Sequence, residues 1–474
     1  MSYAIYVGKN LTESGVGYLA GYGDEPSSHW LEIVPGASHL SGSLMTVGVT
    51  SGADMPGKLS EIPQADQTAR HLRVCYSYYK GTPAPLTNGG VNEFGVALRD
   101  VWSPSRPELI DITPATQTGP NYSDLCKLIL ERAHTAREGV ELIASMIAEH
   151  GHVTYGGNSH LVADADEAWV VIEFAGGQGL WAAERLGADS IRVSRPGYIG
   201  EVPAKGDGGR DWLWSPNFIS FAVEQGWYDP AVDDAFNVNK VYGDGRHRWD
   251  GVAWVEEELR ALSRRPQKIE LYDVMAFVAT ERLTGDTAGY GQVVPLFGPC
   301  HTALRMMWHA HIGAATAPFT PVFLGIQHVP EEFRQHRYLS DREAQRFIDP
   351  RKHPELSPVS RGVESTRSAT AIFKRLQYLA FEHPEHFLAE LQAVWRGFEK
   401  RLEPKSSDIS RLAQLALDAG EPALAERCLT SFTAEALLQS LDMAEQLARA
   451  IELRTRNSHG INTNVTPQGP DQTW

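Results

Sequence analysis

Met1-Ser2-Tyr3-Ala4-Ile5-Tyr6-Val7-Gly8-Lys9 opens the chain, and the reading of the fold turns on these nine residues. Tyr3 to Val7 is an aromatic and β-branched run, the composition of a strand. Removal of Met1 leaves a free α-amine and a hydroxyl on one residue, Ser2, at the head of that run. A hydroxyl is a weak nucleophile at neutral pH and needs a neighbour to take its proton. An α-amine, with a pKa near ~8, is partly neutral there and can accept it. Met-Ser is also a commonplace start without chemical meaning, so the rest of the chain has to decide.

Outward from that stretch, residues 1–110 read as β-rich. Val16–Tyr22, His29–Val34, Ser43–Val49, His71–Tyr79 and Gly95–Trp102 are short runs separated by Gly, Pro, Asn or Asp clusters. Two helices are expected next, Ser123–Arg137 and Glu138–His150, each with its apolar residues on one stripe. Ser159–Asp164, Ala168–Phe174, Gly179–Arg185 and Ser190–Ser194 then read as an antiparallel meander. Helices are expected at Trp212–Gln225, Pro230–Tyr242, Trp254–Ser263 and Leu271–Leu283, and strands at Val293–Trp308 and Pro318–Leu324. From about Ser357 to Arg456 the pattern is helical throughout, and polar Asn457–Trp474 reads as a flexible tail.

The composition is that of an ordinary globular chain of 474 residues, 42% hydrophobic and 22% charged. A formal net charge of -16 and the lack of a Lys/Arg run speak against nucleic acid and acidic membrane surfaces as partners. Four cysteines without a CxxC pair give neither a disulfide framework nor a zinc signature. No leader pattern and no long apolar window stand out. The expectation is a cytoplasmic protein that needs no metal or other cofactor.

Several constellations have both a chemical and an ordinary reading. Gly89–Ala97 joins a turn to a buried strand, the glycines serving a tight turn. Asp24 ends a strand, where its carboxylate either faces a site or caps a turn. Tyr242–Arg248 places Arg246, His247 and Arg248 near a helix start, as a solvated basic loop or a substrate contact. Cys300-His301 is a thiol beside an imidazole, but neighbours on a strand face opposite ways. Cys75 reads as a small buried hydrophobe. His309 and His311 share a face if extended, without a third ligand at zinc spacing. The glycine pairs at 156–157 and 208–209 lack the strand–GxGxxG–helix context of a phosphate cradle.

Taken as an ordered set, these stretches resemble the cysteine dipeptidase and secernin family of N-terminal nucleophile (Ntn) hydrolases, the dipeptidase A-like group. Ser2–Lys9 keeps the spacing of the family's opening, with Ser where the family has Cys. Asn92-Glu93-Phe94-Gly95-Val96-Ala97 is similar to its Asn-Glu-Tyr-Gly-Val-Ala, and Ser159–Glu173 to its central meander. Val193-Ser194-Arg195 falls at its Val-Ser-Asn, ahead of Ile199-Gly200-Glu201, and Cys300–Leu324 resembles its closing β block. The resemblance covers roughly residues 2–330. It implies an α+β fold, the four-layer αββα sandwich, over 1–335, with a helical region at 336–456 and a tail at 457–474.

It also implies chemistry: Ser2 as nucleophile with its own amine as base, and Asp24 and Asn92 as its catalytic partners. Arg195, Arg248 and Asp100 are the candidate substrate-binding residues. Three departures alter the pattern: Ser for Cys at 2, Gly21-Tyr22 where the family has Arg-Asn, and Arg195 for its asparagine. The substrate class would be a small peptide or an N-acyl amino acid. The alternatives are an amide acylase or acyltransferase on a peptide-like small molecule, or an inactive binding or scaffold member. The Ala/Leu-rich C-terminal helices leave homo-oligomer formation open.

Overall fold

The computed structural model describes residues 2–23, 29–50, 53, 55–76, 82, 85–195, 197–233, 235–246, 249–283, 289–334 and 367–460. From the N-terminus the longer strands are β1 (Tyr3–Val7), β2 (Gly17–Tyr22), β3 (His29–Val34), β4 (His71–Tyr76), β5 (Leu86–Asn92) and β6 (Ala97–Trp102). Helices α1 (Tyr122–Arg132) and α2 (Ala136–His150) come next. They are followed by β7 (Asn158–Ala163), β8 (Ala168–Glu173), β9 (Trp181–Leu186), β10 (Ile191–Ser194) and β11 (Trp212–Trp214). Helices α3 (Phe218–Glu224), α4 (Asp250–Ser263) and α5 (Leu271–Val278) lead to β12 (Gly291–Leu296), β13 (Met306–Ala310) and β14 (Thr320–Phe323). The described residues end with α6 (Ala369–Glu382), α7 (Pro384–Asp418) and α8 (Pro422–His459).

The strands form two large antiparallel sheets. One has six strands in the order β10-β1-β2-β12-β13-β14, and the other eight in the order β11-β9-β8-β7-β6-β5-β4-β3. Their inner faces meet: β1 and β2 touch β6, and β12 and β13 touch β5. Helices α4 and α5 cover the six-stranded sheet at β10, β2 and β12, while α1 and α2 cover the eight-stranded sheet at β5 to β8. Alternation along β6 shows the division, since Ala97 and Val101 join the core between the sheets whereas Leu98 joins the core under α1 and α2. The architecture is therefore α+β with a helical C-terminal part.

Local chemistry sets the helix boundaries. Asn121 caps α1 by accepting from the N–H groups of Ser123 and Asp124, and Asp124 returns the bond to the Asn121 N–H. Thr135 caps α2 through the Glu138 N–H at 3.1 Å. The second helix therefore starts at Ala136, two residues before the expected Glu138, and the first stops at Arg132. Trp212–Trp214 pairs with β9 as a strand, and the helix expected over Trp212–Gln225 begins only at Phe218, past Pro216. Among the described residues of 230–242, only Val238–Tyr242 is helical.

Two corrections matter for the site. Gly89 and Gly90 lie inside strand β5, not in a turn; the turn is Glu93–Gly95, where Gly95 has φ +89°. The glycine at 89 answers to close packing, because a Cβ there would sit 2.1 Å from Gln292 Oε1 and 2.5 Å from the Tyr290 hydroxyl. The expected four-strand meander holds for β7, β8 and β9, but Ile191–Ser194 leaves it for the other sheet and pairs with β1, Ala4 opposite Ser194.

The three C-terminal helices pack together and onto β14, and their buried residues, among them Phe373, Trp395 and Leu437, are continuous with the inter-sheet core. Helix α8 runs on to His459, where Gly460 at φ +80° ends it. Residues 335–366 and 461–474, which include the expected domain boundary and most of the expected tail, lie outside the described residues.

Candidate active site

Ser2 stands directly before β1 and is 8% exposed. Side chains alternate along a strand, so Ser2 shares the inter-sheet face of β1 with Ala4 and Tyr6. The opposite face holds Tyr3, whose hydroxyl donates to the carbonyl of Phe277 at the end of α5 (2.5 Å). Burial pushes that phenol far above its usual range, so it stays a neutral donor.

The crossing of β10 brings Arg195 to this point. Gly8 permits the close contact of the two segments: a Cβ there would lie 2.3 Å from the carbonyl oxygen of Ala188. The Gly8 N–H instead donates to Ser190 O at 2.9 Å. Arg195, just past the end of β10, donates from Nη1 to Ser2 O at 3.0 Å and lies 3.4 Å from Ser2 Oγ. Its guanidinium also sits 5.9 Å from the centre of the Trp249 ring, which steadies it. A fixed cation beside Ser2 disfavours the charged form of an α-amine and favours negative charge on the hydroxyl oxygen.

The remaining candidates are placed differently. Asn92 is fully buried with its amide already engaged. Nδ2 donates to Leu130 O and Ala133 O, and Oδ1 accepts from the Phe94 and Val96 N–H groups. It ties the Glu93–Gly95 turn to the end of α1 and is not brought to Ser2. Asp100 is 5% exposed and accepts a 2.7 Å bond from Arg99 Nη1, so its carboxylate serves a buried ion pair. Asp24 and Arg248 lie outside the described residues.

Sequence reading missed a second group, at Cys126, His160 and Glu173. His160 Nδ1 meets Glu173 Oε1 at 2.8 Å and Nε2 meets Tyr122 O at 3.0 Å, with all three side chains of the group fully buried. A carbonyl and a carboxylate both accept, so both imidazole nitrogens carry hydrogen and the ring is an imidazolium. Burial opposes that charge, but the Glu173 carboxylate outweighs it and raises the His160 pKa well above the ordinary value. Burial pushes the Cys126 thiol up to about 11. By residue type this is a thiol triad, yet the thiol is protonated and closed off from solvent, so it holds α1 on the sheet. The Cys75 thiol is likewise buried and raised.

His309 and His311 are engaged with each other and with α6. His309 Nε2 meets His311 Nδ1 at 3.2 Å, His311 Nε2 meets Thr370 Oγ1 at 3.1 Å, and Thr370 Oγ1 donates to His29 O at 2.9 Å. The hydroxyl's donation fixes the direction of the whole relay, each histidine donating from Nε2. Among the described residues no group of three or more His, Cys, Asp or Glu is arranged to hold a metal ion.

Comparison with known proteins adds a family match over part of the chain. Residues 86–250 match the model of Peptidase family C69. A probable dipeptidase of Salmonella dublin is 33% identical over 130 residues, 27% of this chain and 28% of that protein. A probable dipeptidase B of Lactococcus lactis subsp. lactis (strain IL1403) is 33% identical over 123 residues, 24% of this chain and 25% of that protein. The aligned stretches thus span about a quarter of the length of these relatives. Among solved structures, a mutant of the conjugated bile acid hydrolase from Clostridium perfringens matches at TM-score 0.34 and 10% identity, over 68% of this chain and 92% of that one. The resemblance to the dipeptidase group is borne out over residues 86–250, a segment that begins after Ser2 and carries Asn92, Arg99, Asp100 and Arg195.

Proposed function

We propose that the chain is an N-terminal-nucleophile amide hydrolase, dipeptidase-like in substrate class, in which Ser2 is the nucleophile once Met1 is removed. The helix–sheet–sheet–helix order supports reading the fold as the αββα sandwich of that group. The observation that carries the proposal is the position of Ser2: at the head of β1, facing the gap between the sheets, with Arg195 on its carbonyl and 3.4 Å from its hydroxyl oxygen. The C69 match over residues 86–250 supports the choice of an amide bond.

In this mechanism Ser2 Oγ attacks the amide carbonyl, and its proton passes to the Ser2 amine, directly or through one water. The C–N bond breaks, the amine leaving group takes that proton, and water then cleaves the acyl-serine ester. Arg195 holds Ser2 in line and provides the positive charge on which oxyanion character builds; one such donor is worth about 3 kcal/mol in other enzymes. Asn92 has no donor to spare for that role, since both its N–H bonds are committed. Asp24 retains its proposed part in orienting the amine. The test is turnover of a panel of dipeptides and N-acyl amino acids. Ser2→Ala should abolish it without lowering the unfolding temperature, and undiminished turnover by that variant rules Ser2 out.

A further inference from the structure

Arg99 is 0% exposed, in the middle of strand β6, facing the gap between the sheets. A buried arginine is costly and persists only with its donors matched. Its Nη1 donates to Asp100 Oδ1 at 2.7 Å and to Asn88 O at 2.8 Å, and its Nη2 to Tyr22 O at 3.0 Å. Strand β2 has given up a side chain to admit it, and its neighbour on β5 is a glycine as well. Gly89 lies directly opposite Arg99 in the β5–β6 register. On the other sheet, a Cβ at Gly21 would come within 2.8 Å of Arg99 Cγ and 2.7 Å of Tyr3 O. Position 21 is where the sequence departs from the resemblance by lacking an arginine.

The register relates this side chain to Ser2. Gly21 pairs with Ala4 and Tyr22 with Tyr3. Ala4 and Ser2 face the same way, two residues or about 6.6 Å apart along the strand. Arg99 therefore grips the β2 residue next to the one opposite Ser2, and lays its aliphatic stem along the face from which Ser2 projects.

We propose that Arg99 is a positioning residue for Ser2: entering from the opposite sheet through the space left by Gly21, it fixes the head of the β1–β2 pair and sets the charge beneath the Ser2 amine. This rests on Ser2 being the nucleophile and extends it, because the orienting arginine belongs to β6 rather than β2. Removing a cation near an amine stabilises its ammonium form, so more alkaline conditions are needed to free the base.

The experiment follows acylation by a fluorescent β-lactone against pH. Ser2 Oγ opens the ring, forming an ester to the lactone carbonyl; the ring C–O bond breaks, and the proton returns to the released alkoxide. Labelling of wild type at Ser2, absent in Ser2→Ala, checks the nucleophile; failure at this stage rejects that assignment, independently of Arg99. Arg99→Met should then label about tenfold more slowly, with its midpoint about one pH unit higher. Arg99→Lys should bring the midpoint back while remaining slow, since it keeps the charge and loses the fork. Arg99→Met with Asp100→Asn removes both charges together and serves if the single variant does not fold. Either folded variant labelling at the wild-type rate and midpoint overturns the proposal. So does Arg99→Met labelling more slowly at an unchanged midpoint, which marks a purely structural arginine.

Discussion

At Arg195 a single side chain joins two strands that the sequence places far apart: its guanidinium reaches both the carbonyl and the hydroxyl of Ser2. Arg195→Met removes the charge and all the side-chain donors while keeping the aliphatic stem. It should slow acylation by about 10²-fold, the scale of losing one preorganised donor, as read from single-turnover labelling. The buried Glu173 makes a contrasting case. Glu173→Gln leaves the His160 imidazolium without its counter-charge and should lower unfolding free energy by about 3 kcal/mol in urea titration, with acylation at Ser2 retained in the folded fraction. Among residues, the sequence singles out Ser2 by the strand run that follows it and Arg195 by the motif around it, and the structure places the two in contact. Arg99 is not. A charged residue inside an alternating strand reads as solvent-facing, and only the packing of the two sheets exposes Gly21, the glycine that makes room for it.

Among elements, those with strong periodicity or explicit caps are legible: β1, β2, β3, α1 and α2 form close to where their patterns place them. Strand β5 is hidden because Gly89 and Gly90 carry no side chains to alternate, and a glycine pair reads as a turn until its neighbours across the gap are known. The exchange of β10 between sheets is hidden for a different reason. A fourth strand after a three-strand meander has the same local pattern whichever sheet it joins. Gly8 is the residue that admits it, so Gly8→Ala should force β10 away from β1 and draw Arg195 off Ser2. The expected result is slower acylation together with faster amide hydrogen exchange along Tyr3–Val7. Helix α6 is tied to the sheet by the Thr370 relay, and Thr370→Val should cost about 1–3 kcal/mol by removing the acceptor of His311 and the bond to the His29 carbonyl, measured by thermal unfolding.

Across the whole molecule, the buried titratable groups set a pH dependence of stability. Burial lowers the pKa of His71 to about 4 and of His152 and His309 to about 3, and holds His311 well below its ordinary value. These four rings fold neutral but bind protons when unfolded below about pH 6.5, so their contribution is complete above that pH and is lost as pH falls toward the folded values. Buried acids work in the opposite sense. Burial raises Asp124 to about 6 and Glu399 to about 7, so between roughly pH 4.5 and 6 the folded state holds protons that the unfolded state has released. Burial raises the Glu173 carboxyl as well, and four histidines against three acids leave a net loss of stability on acidification. The unfolding midpoint in urea should fall steadily from about pH 6.5 to about pH 4.5, and less so in His309→Gln.

The helical C-terminal part joins the same core as the sheets, so unfolding should be followed on the full chain. The central claim, however, lies at the N-terminus. It is tested most directly by intact mass and peptide mapping of the purified protein after treatment with the β-lactone. The account predicts a mature chain beginning at Ser2, with one acyl group on its hydroxyl oxygen. A retained Met1, or an acyl group carried elsewhere while Ser2 stays unmodified, would contradict it.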